Sequence, residues 1–149
     1  MRLEDEIKQT KFTSPLQKAH LNTLFTANWI LGISKEIMKP FGITPQQYNV
    51  LRILNGKKGQ ACSADDIKAV MLDKNPDLTR MLDRLKDKGY IVRSVCEKNR
   101  RKLDILITQD GVNLLNGIGP HLRVRHESMN NITVKEADEL SRILDKLRS

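Results

Sequence analysis

Aromatic side chains are scarce in this chain, with one Trp, two Tyr and three Phe among 149 residues. Proteins that hold single strands stack bases on exposed rings, so a stacking platform is disfavoured. Cysteine is scarcer still: Cys62 and Cys96 provide neither a disulfide framework nor a metal-ligand cluster. No run of about 18 apolar residues exists, and so no segment spans a bilayer as a helix. The N-terminus, MRLEDEIKQTK, lacks the apolar core of a signal peptide. There is no internal repeat and no low-complexity tract. His20, His121 and His126 lack metal-ligand spacing, and no Ser-His-Asp arrangement, Gly-rich phosphate loop or paired buried carboxylates can be argued. The expectation is one cytosolic domain over 1–149, without cofactor, metal or enzymatic activity, since domains run to about 100–150 residues.

Basic charge, by contrast, is plentiful. Lys and Arg number 26 against 18 Asp and Glu, which gives a net charge of +8 and a pI near 9.7. A basic surplus on a small domain attracts phosphate polyanions. It is also compatible with a merely soluble basic protein, so the location of the charge has to decide.

Helix starts punctuate the chain. Residues 1–13 read as a short helix or arm with Leu3, Ile7 and Phe12 as its large apolar groups. Ser14-Pro15-Leu16-Gln17 has the form of a capping box with Pro at the first helical position. It opens about six turns carrying Leu16, Ala19, Leu24, Ala27, Leu31 and Met38, widened by Trp29, Ile30 and Ile37, and ending before Pro40 and Gly42. Thr44-Pro45-Gln46-Gln47 repeats the signal, and Tyr48, Leu51 and Leu54 are expected to be buried. Ser63-Ala64-Asp65-Asp66 caps a short helix carrying Ile67, Val70 and Met71. Asn75-Pro76 is predicted to start a fourth helix with Leu78, Met81, Leu82 and Leu85 on one face, closed by Gly89. The period then drops to two in Tyr90–Cys96 and Leu103–Thr108, as in strands. Thr108 caps a helix that Gly117, Gly119 and Pro120 should kink or interrupt. Thr133-Val134-Lys135-Glu136 starts the last, with Ala137, Leu140, Leu144 and Leu147 on one face. Three compact helices followed by a two-stranded hairpin make a mainly α fold, a winged helix-turn-helix. The first and last helices must bury their stripes elsewhere.

The chemistry concentrates between Asn75 and Thr108. Opposite Leu78 and Leu85, the fourth helix shows Arg80, Asp83, Arg84 and Asp87, with Thr79 on the flank. Arginines at the start of a helix suit guanine edges in a major groove, while a solvated face laced with charge pairs fits the same pattern. The hairpin favours the first reading. Lys98, Arg100, Arg101 and Lys102 crowd into five residues beside Asn99, and such a cluster repels itself unless a polyanion is near. The candidate recognition set is therefore Asn75, Thr79, Arg80, Asp83 and Arg84, and the candidate wing set is Lys98, Asn99, Arg100, Arg101 and Lys102. Cys96 adjoins that cluster, where cations lower a thiol pKa, so redox sensing stands beside a plain strand cysteine. Cys62 has the blander reading.

LTRMLDRLKDKGYI, then Asn99-Arg100-Arg101 and ILITQDGVNLL, resemble the MarR family of bacterial winged-helix regulators, as does Thr44-Pro45-Gln46-Gln47-Tyr48-Asn49-Val50-Leu51. Asn99 stands where the family's wing has Asp, and Pro76 and Asp77 stand where small Ser or Thr are common. The resemblance implies a homodimer that binds double-stranded DNA, a repressor on a pseudo-palindrome. Helices within 1–39 and 109–149 would intertwine, and 43–108 would form the DNA-binding lobe. It carries base reading onto Thr79, Arg80 and Arg84, and backbone contact onto Arg100 and Arg101. It further implies a small aromatic or phenolic effector between the dimer helices and that lobe, with His20, Phe25 and Trp29 as candidate walls. A winged helix used only for protein docking is the competing class.

Overall fold

The computed structural model describes residues 1–74, 77–95, 103–128 and 131–149. Within them the order is α1 (Leu3–Ile7), α2 (Pro15–Met38), a 3-10 turn (Lys39–Phe41), α3 (Pro45–Gly56), α4 (Ala64–Val70), α5 (Leu78–Asp87), β1 (Ile91–Val95), β2 (Leu103–Ile107), α6 (Gln109–Ser128) and α7 (Val134–Leu147). The predicted winged helix-turn-helix with flanking helices is the fold observed.

The caps behave largely as the sequence requires. Thr44 and Gln47 close a reciprocal box at α3, Ser63 and Asp66 at α4, and Thr133 and Glu136 at α7. At α2 only half the box forms. Ser14 accepts the Gln17 amide, but the Gln17 side chain takes the amide of Thr13, at 2.7 Å, instead of that of Ser14.

The core lies where α3, α4, α5, the strands and α6 converge. Val50, Leu51, Ile67, Leu85 and Ile118 are fully buried, with Met71, Ile91 and Ile105 nearly so. Ile43 packs in that core and Tyr48 is half-buried against it, while Gln47 is the buried polar residue of α3. Val70 is 59% exposed and not part of the α4 stripe, because that helix is only two turns long and turns Ile67 and Met71 inward.

β1 and β2 pair antiparallel, with Ile91 opposite Ile107, Arg93 opposite Ile105 and Val95 opposite Leu103. An isolated bridge extends the sheet: Cys62 exchanges both backbone hydrogen bonds with Ile105, at 3.1 and 2.9 Å. The middle of β2 is thereby tied to the segment before α4. Leu103 is 45% exposed at the outer end of the ladder.

α6 runs unbroken through Gly117, Gly119 and Pro120, which corrects the expected interruption. Gly119 has no Cβ to collide with the proline ring, and the exposed turn lets water take the carbonyl that Pro120 cannot serve.

The outer helices are a different matter. Along α2 only Met38 is buried, while Leu16, Leu24, Trp29, Ile30 and Leu31 are exposed. On α7 no residue is buried, and Leu140, Ile143 and Leu147 face outward. Lys18 of α2 holds the N-terminal segment by an ion pair to Glu4 of α1, where Leu3 is buried, and its ammonium lies 5.7 Å from the centre of the Phe12 ring.

Candidate nucleic-acid interface

α5 is short and sharply bounded. It begins at Leu78, and the expected start at Asn75-Pro76 is corrected: Asp77 is the N-cap, its carboxylate accepting the Arg80 amide at 3.3 Å. An acid at that position satisfies an orphan amide and complements the helix dipole. The helix stops in a Schellman arrangement. The Gly89 amide donates to Lys86, the Tyr90 amide donates to Leu85, and Gly89 adopts a φ of 75°.

Leu78, Leu82 and Leu85 face the core, so at about 100° per residue the opposite face must carry Arg80, Asp83, Arg84 and Asp87. All four are exposed, as is Thr79 on the flank. The structure thus places Arg80 and Arg84 together on one open helical face, with Thr79 exposed on its flank. Asp83 is differently engaged. Its carboxylate accepts from the Arg93 guanidinium of β1 at 2.7 Å, not from a cation one turn along α5. The same guanidinium donates to the Thr79 carbonyl at 3.4 Å. Arg93 was not singled out by sequence; its one signal is an inward strand position, two residues from Ile91, filled by a cation.

Asn75, Cys96, Lys98, Asn99, Arg100, Arg101 and Lys102 lie outside the described residues, so the basic cluster enters through its flanks. β1, packed beside α5, leads into it, and β2, paired with β1, leads out of it. Cys62 is buried, and burial pushes its thiol above the ordinary range, with Lys57 offsetting this only in part. That is the environment of an inert structural thiol.

The effector candidates all lie on α2, with Phe25 and Trp29 one turn apart and His20 nearer its start. Trp29 lines an open cavity of about 600 Å³ with Gly32, Ile33, Glu36, Ile37 and Arg125, between α2 and α6. His20 is exposed and Phe25 half-buried on α2, and neither lines that cavity.

A recognition-type helix beside an antiparallel strand pair, raised on a three-helix core, defines a winged-helix protein. The MarR family model matches residues 43–103. A MarR transcription factor from Planctomyces limnophilus is 31% identical over 91% of this chain and 98% of its own, with a TM-score of 0.70. A cysteine-to-serine mutant of MarR from E. coli, in a complex with operator DNA, is 24% identical over 99% of each chain, with a TM-score of 0.73. BpsR from Bordetella bronchiseptica, described for regulation of its DNA binding by 6-hydroxynicotinic acid, is 20% identical over 94% of this chain and 99% of its own, at a TM-score of 0.78. The chain belongs to the MarR family of transcriptional regulators.

Proposed function

We propose that this regulator is a homodimeric repressor that binds duplex DNA by sequence, with residues 43–108 as the DNA-binding lobe and helices within 1–39 and 109–149 as the dimer body. The carrying observation is the open face of α5, where Arg80 and Arg84, flanked by Thr79, stand clear of the core beside strands that bracket Lys98, Arg100, Arg101 and Lys102. Arg80 and Arg84 read base edges in a major groove, each good bidentate pair being worth about 1–3 kcal/mol of discrimination. The basic cluster holds phosphates and supplies affinity without sequence. The operator complex of the E. coli relative supports this reading.

The dimer rests on the apolar faces of α2 and α7, which nothing in a single described chain covers. Two lobes on one rigid body address half-sites about one helical turn, ~34 Å, apart. The cavity beside Trp29 offers an aromatic and apolar wall, which suits a small aromatic effector; the effector-linked BpsR supports such control.

A salt titration of duplex binding tests the core of the proposal. Affinity should fall steeply with salt while preference for one selected sequence survives. Binding with no sequence preference would reduce the chain to a non-specific DNA protein, and no duplex binding at all would favour a docking module.

A further inference from the structure

We propose that the Asp83–Arg93 pair is a positioning clasp that sets the strand pair at a fixed angle to α5, so that Asp83 serves recognition through Arg93 and touches no DNA itself. The inference rests on the DNA-binding reading above and assigns these two residues a role within it.

The geometry is specific. Arg93 sits mid-strand, its backbone opposite Ile105, which is itself locked to Cys62 by two hydrogen bonds. Its side chain, only 14% exposed, reaches α5 at two heights: the Asp83 carboxylate at 2.7 Å and the first-turn carbonyl of Thr79 at 3.4 Å. Its Nε is buried with no partner, a cost that an arginine free to extend into water would not bear. A charge-assisted bond to Asp83 offsets that cost and holds the guanidinium in place.

The consequence is one of leverage. A five-residue strand is about 17 Å long, so a tilt of about 10° at its base moves its far end by about 3 Å. A displacement of that size removes a hydrogen bond to phosphate, whose donor–acceptor distance must stay near 2.7–3.2 Å. Outside the clasp, α5 and β1 are joined by the turn at Lys88, Gly89 and Tyr90 and by the apolar packing of Leu85 and Ile91 near that turn. The clasp adds a polar attachment further along the strand, where Arg93 reaches the outward face of α5.

Simple electrostatics predicts the opposite sign. An acid on a face turned toward a polyanion repels it, so Asp83→Asn should tighten binding if Asp83 acts only by its charge. The clasp predicts weaker binding. The probe is a duplex selected by the wild-type chain from a random pool, with mixed-sequence duplex as reference. Asp83→Asn and Arg93→Gln should each lose about tenfold in affinity for the selected duplex, and the double variant should lose no more than either, as for residues acting as a unit. The charge exchange, Asp83→Arg with Arg93→Asp, should recover much of the loss. Unchanged or tighter binding by Asp83→Asn overturns the clasp, as do additive losses. A loss that follows thermal unfolding of the same samples makes the pair structural only and equally overturns it. A wild-type chain that selects no duplex overturns the DNA reading itself, before any variant is made.

Discussion

Gly111 packs directly over the carbonyl of Tyr90: a Cβ at Gly111 would stand 2.4 Å from that oxygen and 2.7 Å from Cγ1 of Ile107. The Tyr90 carbonyl already accepts the Thr108 amide at 3.0 Å, and Thr108 Oγ1 donates to Gly89 at 2.7 Å while accepting from Gly111 at 3.1 Å. The end of α5, the end of β2 and the start of α6 thus meet at one knot of backbone. Because one obstacle is backbone, Gly111→Ala cannot be relieved by a rotamer change. The expected cost is that of overpacking, about 1–3 kcal/mol, read as a lowered urea midpoint with unchanged slope. An unchanged midpoint would show that the knot yields freely.

Base reading and backbone holding separate by their salt response. Arg80→Ala should relax sequence preference at one position of the selected site by about 1–3 kcal/mol and leave binding to mixed-sequence duplex nearly intact. Arg100→Ala with Arg101→Ala should weaken all duplexes alike and lower the salt slope by about two, one for each phosphate no longer neutralised. A uniform loss from Arg80→Ala would reassign it to phosphate, and an unchanged salt slope in the double variant would remove the wing from the interface.

Acid should release α1. The hydrogen bond from Lys18 holds the Glu4 carboxyl at about 2, below its ordinary 4.5, with help from a backbone amide. A depressed carboxylate pKa contributes stability that is whole above the unfolded value near 4.5 and is lost as pH falls toward 2. The carboxyl carbon of Glu4, followed by NMR, should titrate near 2 in the native chain and return toward 4.5 in Lys18→Met. Identical midpoints in the two proteins would mean the pair is not formed in solution.

The outward face of α7 should control assembly. Leu140 and Leu147 are 49% and 41% exposed, large apolar groups on a helix with no buried residue. Replacing both with Asp places two charges where a partner chain would have to desolvate them. Sedimentation should then report a monomer whose helix content is largely kept, and duplex affinity should drop because one lobe reads one half-site. A variant that stays dimeric would locate the interface elsewhere.

Sequence alone determined the helix-turn-helix because its signals are local. The capping boxes at Thr44, Ser63 and Thr133, the 3.6-residue spacing of Leu78, Leu82 and Leu85, and the left-handed stop at Gly89 each depend on residues within a turn of one another. The open face carrying Arg80 and Arg84, with Thr79 on its flank, follows from the same periodicity. Helix α5 nonetheless begins at Leu78, with Asp77 as its N-cap through the bond its carboxylate accepts from the Arg80 amide. What sequence could not supply is contact across distance. The Arg93–Asp83 pair spans ten positions, the Cys62–Ile105 bridge more than forty, and the Gly111–Tyr90 contact depends on how β2 returns beside β1. Pro120 shows the converse: a strong local breaker is absorbed because Gly119 precedes it and water reaches the turn. Asp83 therefore looks like a groove-facing acid in the one-dimensional pattern and becomes the partner of Arg93 only once the sheet folds beside its helix.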